Sequence, residues 1–313
     1  MFGDSHLLFR NFVRETRCRG RDPSGTWLCG DGRRDGNTVR GGPPALPAAL
    51  VAMAGLLWLG GAGAAYGFSQ SDVDTLMSSH ACPGCDLAEA SLRNADLRGA
   101  NLAGANLSKA DLKLVDLSNA NLKGANLRGA ELEKADLSGA DMTGALLQDA
   151  DLEKVDLIGT NLTNANLENT DLENANLSEA KLVGTSLLGA NMKRANFDDA
   201  FISNARLDGA EMERASLRKA VLGGTSFDGA HLKRANMKGI TGHSVKLRNA
   251  NLERVILYDA TLSKADLTGA TMRLTHLEGA VLDDAMGLTQ AQLDDACGDA
   301  KTRLPAGLTA DSC

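Results

Sequence analysis

The fold is decided by the stretch ADLRGANLAGANL at residues 95–107, in which one five-residue unit is repeated without interruption. The same unit runs from 86 to 285. Every fifth position from Leu87 to Leu282 gives 40 central positions, of which 31 are Leu, eight are Met, Phe or Ile, and one is Gly242. The position two residues before each centre is also restricted, to Ala in 30 cases of 40 and to Thr, Val or Ile in the rest.

A period of five fits neither an α-helix, which repeats every 3.6 residues, nor a β-strand, which repeats every two. Asp or Asn directly before the central Leu would also be a poor choice inside a helix. The pattern is typical of a chain that turns a corner every five residues. The central and small residues then point inward, and the other three face solvent.

These forty units in phase resemble the pentapeptide repeat family, over about 200 of the 313 residues. The resemblance implies an all-β, right-handed quadrilateral β-helix, a solenoid of about ten coils with four pentads in each. At about 4.8 Å per coil, the rod would be about 48 Å long. Only the pentad Ile240-Thr241-Gly242-His243-Ser244 departs from the pattern. It predicts a bulged or loosened unit, without an insertion.

Stacked coils bury their leucines only against neighbouring coils, so both ends of the solenoid need a cap. Residues 66–85 are the expected N-terminal cap, with a short helix from Phe68 to Ser79 and Ser71 as its N-cap. Residues 286–313 are the expected C-terminal cap and tail. The capping-box pattern from Thr289 to Gln292 predicts a helix that continues to about Cys297.

The N-terminal region lacks the repeat. Residues 1–43 are rich in Arg and Gly, and we expect them to be a disordered leader, with a true start further downstream as one explanation. Residues 44–65 combine an apolar run with a Gly- and Ala-rich end, which is the layout of a cleaved signal peptide. The alternative is an uncleaved membrane anchor. The expected location is therefore periplasmic or secreted, or else membrane-anchored.

Four cysteines flank the array and none lies within it. Behind an export signal, this distribution predicts two structural disulfides, Cys82–Cys85 and Cys297–Cys313. A thioredoxin-like redox site needs a βαβ scaffold, which this sequence does not predict. A zinc site at Cys82, Cys85 and His80 would have three ligands, where a structural site has four. We therefore expect no cofactor and no metal.

The array is mildly acidic, with 29 carboxylates against 23 Lys and Arg, which argues against direct nucleic-acid binding. Residues 20 apart should share a face, and this places acidic side chains in two columns in the N-terminal half of the rod. In one interpretation these carboxylates accept hydrogen bonds in turns. In the other they imitate the DNA duplex, as in family members that inhibit topoisomerases. The columns are Asp96, Asp116, Asp136 and Asp156, and Asp111, Glu131, Asp151 and Asp171.

In the C-terminal half, Phe201 and Val221 replace the usual Asp or Asn on one face and could form a partner contact. We find no motif for catalysis or phosphate binding. The sequence thus favours a non-enzymatic, exported structural or protein-binding solenoid, a monomer or an end-to-end dimer, whose partner is a protein. Two alternatives stay open: a DNA-mimicking inhibitor or protector of a type II topoisomerase, and a redox protein that uses Cys82 and Cys85.

Overall fold

The computed structural model describes residues 18–21, 27–29 and 67–313, within two units that span residues 1–63 and 64–313. In the first unit, strands β1 (Cys18–Arg21) and β2 (Trp27–Cys29) pair antiparallel. This hairpin departs from the expectation that residues 1–43 lack regular structure. Its connection, from Arg21 to Trp27, contains Asp-Pro-Ser-Gly, which is a turn-forming sequence. The signal or anchor segment at 44–65 lies outside the described residues.

The second unit is a solenoid in which each residue before a central Leu pairs in parallel with the residue 20 positions further on. The ladder begins with Ala81 opposite Asn101, five residues before the expected boundary at 86. In each pentad the N–H of the central residue donates to a carbonyl 19 residues ahead, as from Leu107 to Asn126 at 2.7 Å. Four pentads therefore make one coil, which is the quadrilateral arrangement that the five-residue period predicts.

The interior is a column of central side chains with small residues beside them. Leu107 and Leu127 are completely buried, and so are the largest core residues, Phe197 and Phe227. Where Thr replaces Ala at the small position, its hydroxyl is satisfied inside the coil, as when Thr185 Oγ1 donates to the carbonyl of Leu162 at 2.7 Å. The core therefore contains hydroxyl groups without burying an unpaired donor.

Each corner is a turn closed by a backbone hydrogen bond, as from the Ala110 N–H to the Leu107 carbonyl at 3.1 Å. The second residue after the central one has a positive φ, as in a type II turn. Gly184 shows why glycine recurs there: its φ is +70°, and a Cβ would lie 2.5 Å from Oδ1 of Asn164. Glycine is needed at this corner for its conformation and for the space beside Asn164.

The irregular pentad keeps the register and contains no bulge. Strand β3 (Thr241–His243) pairs in parallel with β4 (Thr261–Ser263), residue for residue at a spacing of 20. The expectation of a bulged unit is therefore wrong. Because Gly242 has no side chain to fill the core, the backbone itself lies closer to the interior: a Cβ at this position would be 2.5 Å from Cγ2 of Val245.

The N-terminal cap contains helix α1 (Gln70–Ser79), whose Leu76 is completely buried. Ser69 is the N-cap and accepts from the Asp72 N–H at 3.3 Å, so the expectation that Ser71 caps the helix is wrong. The Asp72 carboxylate accepts from the Asp86 N–H at 2.9 Å, which joins the helix to the first pentad.

The C-terminal cap contains helix α2 (Gln290–Leu293), a single turn that begins after Thr289. It ends earlier than expected because the following chain rejoins the parallel ladder, with Cys297 opposite His276 and Arg303 opposite Val281. Asp311 then pairs with Cys297. The tail therefore covers the edge of the last regular coil. In the described part of the chain, no helix has the length and apolar character needed to cross a membrane.

Candidate interaction surfaces

The two acidic columns lie in register along adjacent faces. Asp96, Asp116 and Asp136 pair successively in one ladder that continues to Asp156. The second ladder places its four carboxylates on the neighbouring face in the same way. Successive members occupy neighbouring coils, about 4.8 Å apart. This second ladder comprises Asp111, Glu131, Asp151 and Asp171.

Most of these carboxylates accept hydrogen bonds from the turn that follows them. Oδ1 of Asp136 accepts the Ser138 N–H at 2.8 Å, and Oδ1 of Asp171 accepts the Glu173 N–H at 2.9 Å. Asp111, Asp116, Asp151 and Asp156 make the same contact two residues on. These bonds favour the structural one of the two interpretations, since an Asx residue caps its own turn.

Ion pairs neutralise part of the acidic charge. Arg98 lies 2.7 Å from Asp96 and 3.6 Å from Asp116, and its hydrogen bonds lower the pKa of Asp96 to about 2. Lys113 binds Glu131 at 2.8 Å. Both Arg98 and Asp96 are exposed, so this pair fixes the direction of two side chains and adds little to stability.

One face of the rod changes sign halfway along its length. We define the polarised face as the quarter of each coil that runs from residues 111–114 to residues 271–274 at intervals of 20. Its first four rows, up to 171–174, carry seven carboxylates and three lysines, a net charge of −4. Its last five rows, from 191–194, carry seven Lys and Arg and three carboxylates, a net charge of +4.

The basic half of the polarised face contains a column of arginines that the charge of the whole array conceals. Arg194, Arg214, Arg234 and Arg254 occupy the same corner of four successive coils. A search at a spacing of 20 would have found them, whereas a search confined to the position before each Leu could not. Arg194 binds Glu173 at 2.9 Å across the boundary between the two halves.

Four charges on the polarised face lack an ionic partner. Among residues 67–313, Asp151 and Asp171 form no salt bridge in the acidic half, and neither do Arg234 and Arg254 in the basic half. Since the two pairs are centred about four coils apart, the unpaired charges are separated by about 20 Å along the rod. The polarised face therefore presents one acidic and one basic zone at a defined distance.

Some turns lack an Asx residue, and an aspartate of the preceding coil replaces it. Ser216 cannot cap its own turn in this way, and Oδ1 of Asp198 accepts both the Ser216 hydroxyl at 2.5 Å and the Arg218 N–H at 2.9 Å. The Arg218 guanidinium binds the other oxygen at 2.5–2.8 Å. Burial raises the pKa of Asp198, but these hydrogen bonds prevail and hold it below its usual value. Asp228 binds Arg248 in the same way.

Phe201 and Val221 lie on a third face, where Lys181, Phe201, Val221 and Thr241 follow one another in one ladder. The Phe201 side chain is 48% exposed, and Val183 in the preceding row is 37% exposed. The ladder thus places the two predicted apolar residues in adjacent coils.

The cysteines lie at the two ends of the solenoid. Cys82 and Cys85 form one disulfide, and Cys297 and Cys313 form the other. Within the described residues, no group of three or more His, Cys, Asp and Glu could hold a metal ion. The Tyr258 hydroxyl and Oε1 of Glu278 both contact Nδ1 of His276, at 3.3 and 3.1 Å. They share one nitrogen, so they do not form a relay through the imidazole.

These features define a repeat rod with chemically distinct outer faces. The family model described as pentapeptide repeats matches in eight copies across residues 84–241 and 243–273, so the chain belongs to the pentapeptide repeat family. Proteins of this family are generally non-enzymatic structural or binding proteins. No curated protein matches the chain.

Several solved structures are similar to the chain. HetL, a pentapeptide repeat protein involved in heterocyst differentiation regulation from the cyanobacterium Nostoc sp. strain PCC 7120, is 34% identical, with 62% of this chain and 87% of HetL covered and a TM-score of 0.37. Rfr23 from the cyanobacterium Cyanothece 51142 is 28% identical, with 41% and 98% covered and a TM-score of 0.26. QnrB1, a plasmid-mediated fluoroquinolone resistance protein, is 17% identical, with 58% and 91% covered and a TM-score of 0.31.

Proposed function

We propose that this protein is a non-enzymatic, exported binding rod that holds a protein partner along its polarised face. The observation that carries the proposal is the separation of unpaired charge on that face. Asp151 and Asp171 in one half, and Arg234 and Arg254 in the other, lack ionic partners within the solenoid. A rigid scaffold keeps the two zones at a fixed spacing, which favours a complementary partner over an unrelated one.

The chemistry of the partner follows from this arrangement. It should present a basic patch and an acidic patch about 20 Å apart, with the order reversed relative to the rod. A partner of a single sign would be attracted by one zone and repelled by the other. Because the charges are exposed, binding should weaken as the salt concentration rises.

Two features support the export of the protein. Each cap of the solenoid contains one disulfide, and disulfides persist in oxidising compartments. The sequence at 44–65 has the layout of a signal peptide, with a membrane anchor as the alternative. Fractionation of the native host, with determination of the mature N-terminus, tests the location. Recovery of the protein in the cytoplasm with reduced cysteines would contradict export.

Charge-removing substitutions test the binding face without disturbing the turns. Asn is the common alternative to Asp in this repeat and keeps the Oδ1 acceptor, so Asp151→Asn with Asp171→Asn should leave the fold intact. The full chain serves as bait in its native host, and captured proteins are quantified by mass spectrometry. A partner of this face should be depleted at least fivefold by the double variant, and also by Arg234→Gln with Arg254→Gln.

The control removes the same kind of charge from another face. Asp266 caps its turn in the same way, with its Oδ1 accepting the Thr268 N–H at 3.1 Å. Asp266→Asn should leave the capture unchanged. Captured proteins that respond equally to all three variants, or to none of them, would show that the polarised face is not the binding surface.

A further inference from the structure

A third face of the rod is almost free of charge along five successive coils. We define the neutral face as the rows from 181–184 to 261–264 at intervals of 20. These rows contain no carboxylate, and Lys181 and Lys264 are their only charged residues. The five basic rows of the polarised face, of equal length, carry ten charges. A neutral surface can approach another protein without a large cost of desolvating ions.

The neutral face carries one apolar protrusion. Phe201 occupies a position at which most coils have Asp or Asn, and its side chain is 48% exposed. Val183 is exposed in the row before it and Val221 is partly exposed in the row after it. An aromatic ring with apolar neighbours is the kind of anchor that dominates protein interfaces.

The same face also carries a depression, two coils beyond Phe201. It arises at Gly242, where the backbone lies closer to the core because no central side chain holds it outward. The result is an open hollow of about 600 Å³. Its walls include Val221, Gly223, Thr241, Gly242, His243 and Ser263.

The protrusion and the depression are related in a way that fits two copies of this chain. Phe201 and Thr241 lie in one column, two coils or about 10 Å apart, with Val221 midway. A twofold axis between two facing rods, perpendicular to them at the level of Val221, reverses one rod and keeps the columns opposed. Each Phe201 then faces the depression of the other copy, and the two Val221 side chains meet on the axis.

We propose that two copies of this protein associate through the neutral face in this antiparallel arrangement. The contact is isologous, because one patch supplies both the protrusion and the depression. It also avoids repulsion, since the row of Lys181 faces the row of Thr261, and Lys264 lies at the opposite edge of the face. This dimer differs from the end-to-end dimer considered above, and the tail that covers the last coil leaves the side faces free.

Site-specific cross-linking of the full chain tests the arrangement. Val221→Cys places a thiol on the twofold axis, where it should oxidise to an interchain disulfide visible on a non-reducing gel. Ile256→Cys is the matched control, since Ile256 occupies the same position of its pentad on another face and is also partly buried. We expect at least five times more dimer from Val221→Cys. Equal yields from the two variants, or no dimer from either, would overturn the proposal.

Two further substitutions, each combined with Val221→Cys, test the protrusion and the depression. Phe201→Ser removes the anchor, and Gly242→Leu restores the residue usual in the array and moves the backbone outward. Each should lower the cross-linking yield at least fivefold, whereas Leu114→Ser, an exposed apolar residue on the polarised face, should not. Circular dichroism verifies folding, and Phe201→Ser alone decides the matter if Gly242→Leu fails to fold. An unchanged yield with Phe201→Ser would overturn the proposal.

Discussion

Removal of the Asp198 carboxylate should destabilise the solenoid, and a second substitution one coil later should restore it. Asp198→Ala takes the acceptor away from the Arg218 N–H, which Ser216 cannot replace. The Arg218 guanidinium is 57% exposed and regains water, so the main cost is the backbone N–H and the packing around it. A lost hydrogen bond of this kind costs about 1–3 kcal/mol.

The magnitude can be converted into a melting temperature. For a unit of about 250 residues, 1 kcal/mol corresponds to a shift of about 2–4 °C. Asp198→Ala should therefore lower Tm by about 2–12 °C. Ser216→Asn provides a local Oδ1, as Asn196 does for the Asp198 N–H at 3.0 Å. In the double variant, at least 1 kcal/mol of the loss should return.

Thermal unfolding followed by circular dichroism measures the four proteins of this double-mutant cycle. Asp199→Asn is the control, because it removes a neighbouring charge without removing an acceptor of the turn. The reasoning fails if Asp198→Ala and the double variant melt at the same temperature. It also fails if Asp199→Asn destabilises the protein as much as Asp198→Ala does.

Three other properties should follow from the same structure. The pKa of Asp198 is depressed in the folded state, so its stabilisation is present above the unfolded pKa of about 4 and is lost as the pH falls through the folded value. The Tm difference between the wild type and Asp198→Asn should therefore disappear between about pH 4 and pH 2, and an undiminished difference at about pH 2 would contradict this. The Cys297–Cys313 disulfide, with a sequence separation of 16, should stabilise the tail by about 3 kcal/mol. Cys297→Ala with Cys313→Ala should then expose Arg303 to trypsin before the array unfolds, and simultaneous cleavage of both would be inconsistent with a separate cap. Leu167→Ala, at a fully buried position, should cost about 3–5 kcal/mol in chemical unfolding, and a loss below about 1 kcal/mol would show that neighbouring coils collapse into the cavity.

The solenoid was predictable because its period converts sequence separation directly into contact. Residues 20 apart must be neighbours once four pentads make a coil, so Leu107 over Leu127 and Phe201 beside Val221 required no tertiary information. The two acidic columns could be placed on adjacent faces for the same reason. The column from Arg194 to Arg254 follows the same rule and was overlooked only because it occupies another position of the pentad.

The aperiodic parts were harder to anticipate. Ser69 and Ser71 are both acceptable N-caps, and the choice depends on how α1 meets the Asp86 N–H. Helix α2 stops after one turn because Cys297 pairs with His276, a contact that no periodicity announces. The role of Asp198 was also hidden, since its hydrogen bonds cross to the next coil and depend on a serine 18 residues later.

The 20-residue coil makes the rod a ruler with discrete graduations. Because each coil contacts only its neighbours, deletion or duplication of one whole coil between residues 174 and 191 leaves the rest of the stack in register. Such a change would move the acidic zone relative to the basic zone by one step of about 4.8 Å, without altering either zone. Evolution or design could thus adjust this protein to a partner of different length by counting coils, while every contact within the array stays the same.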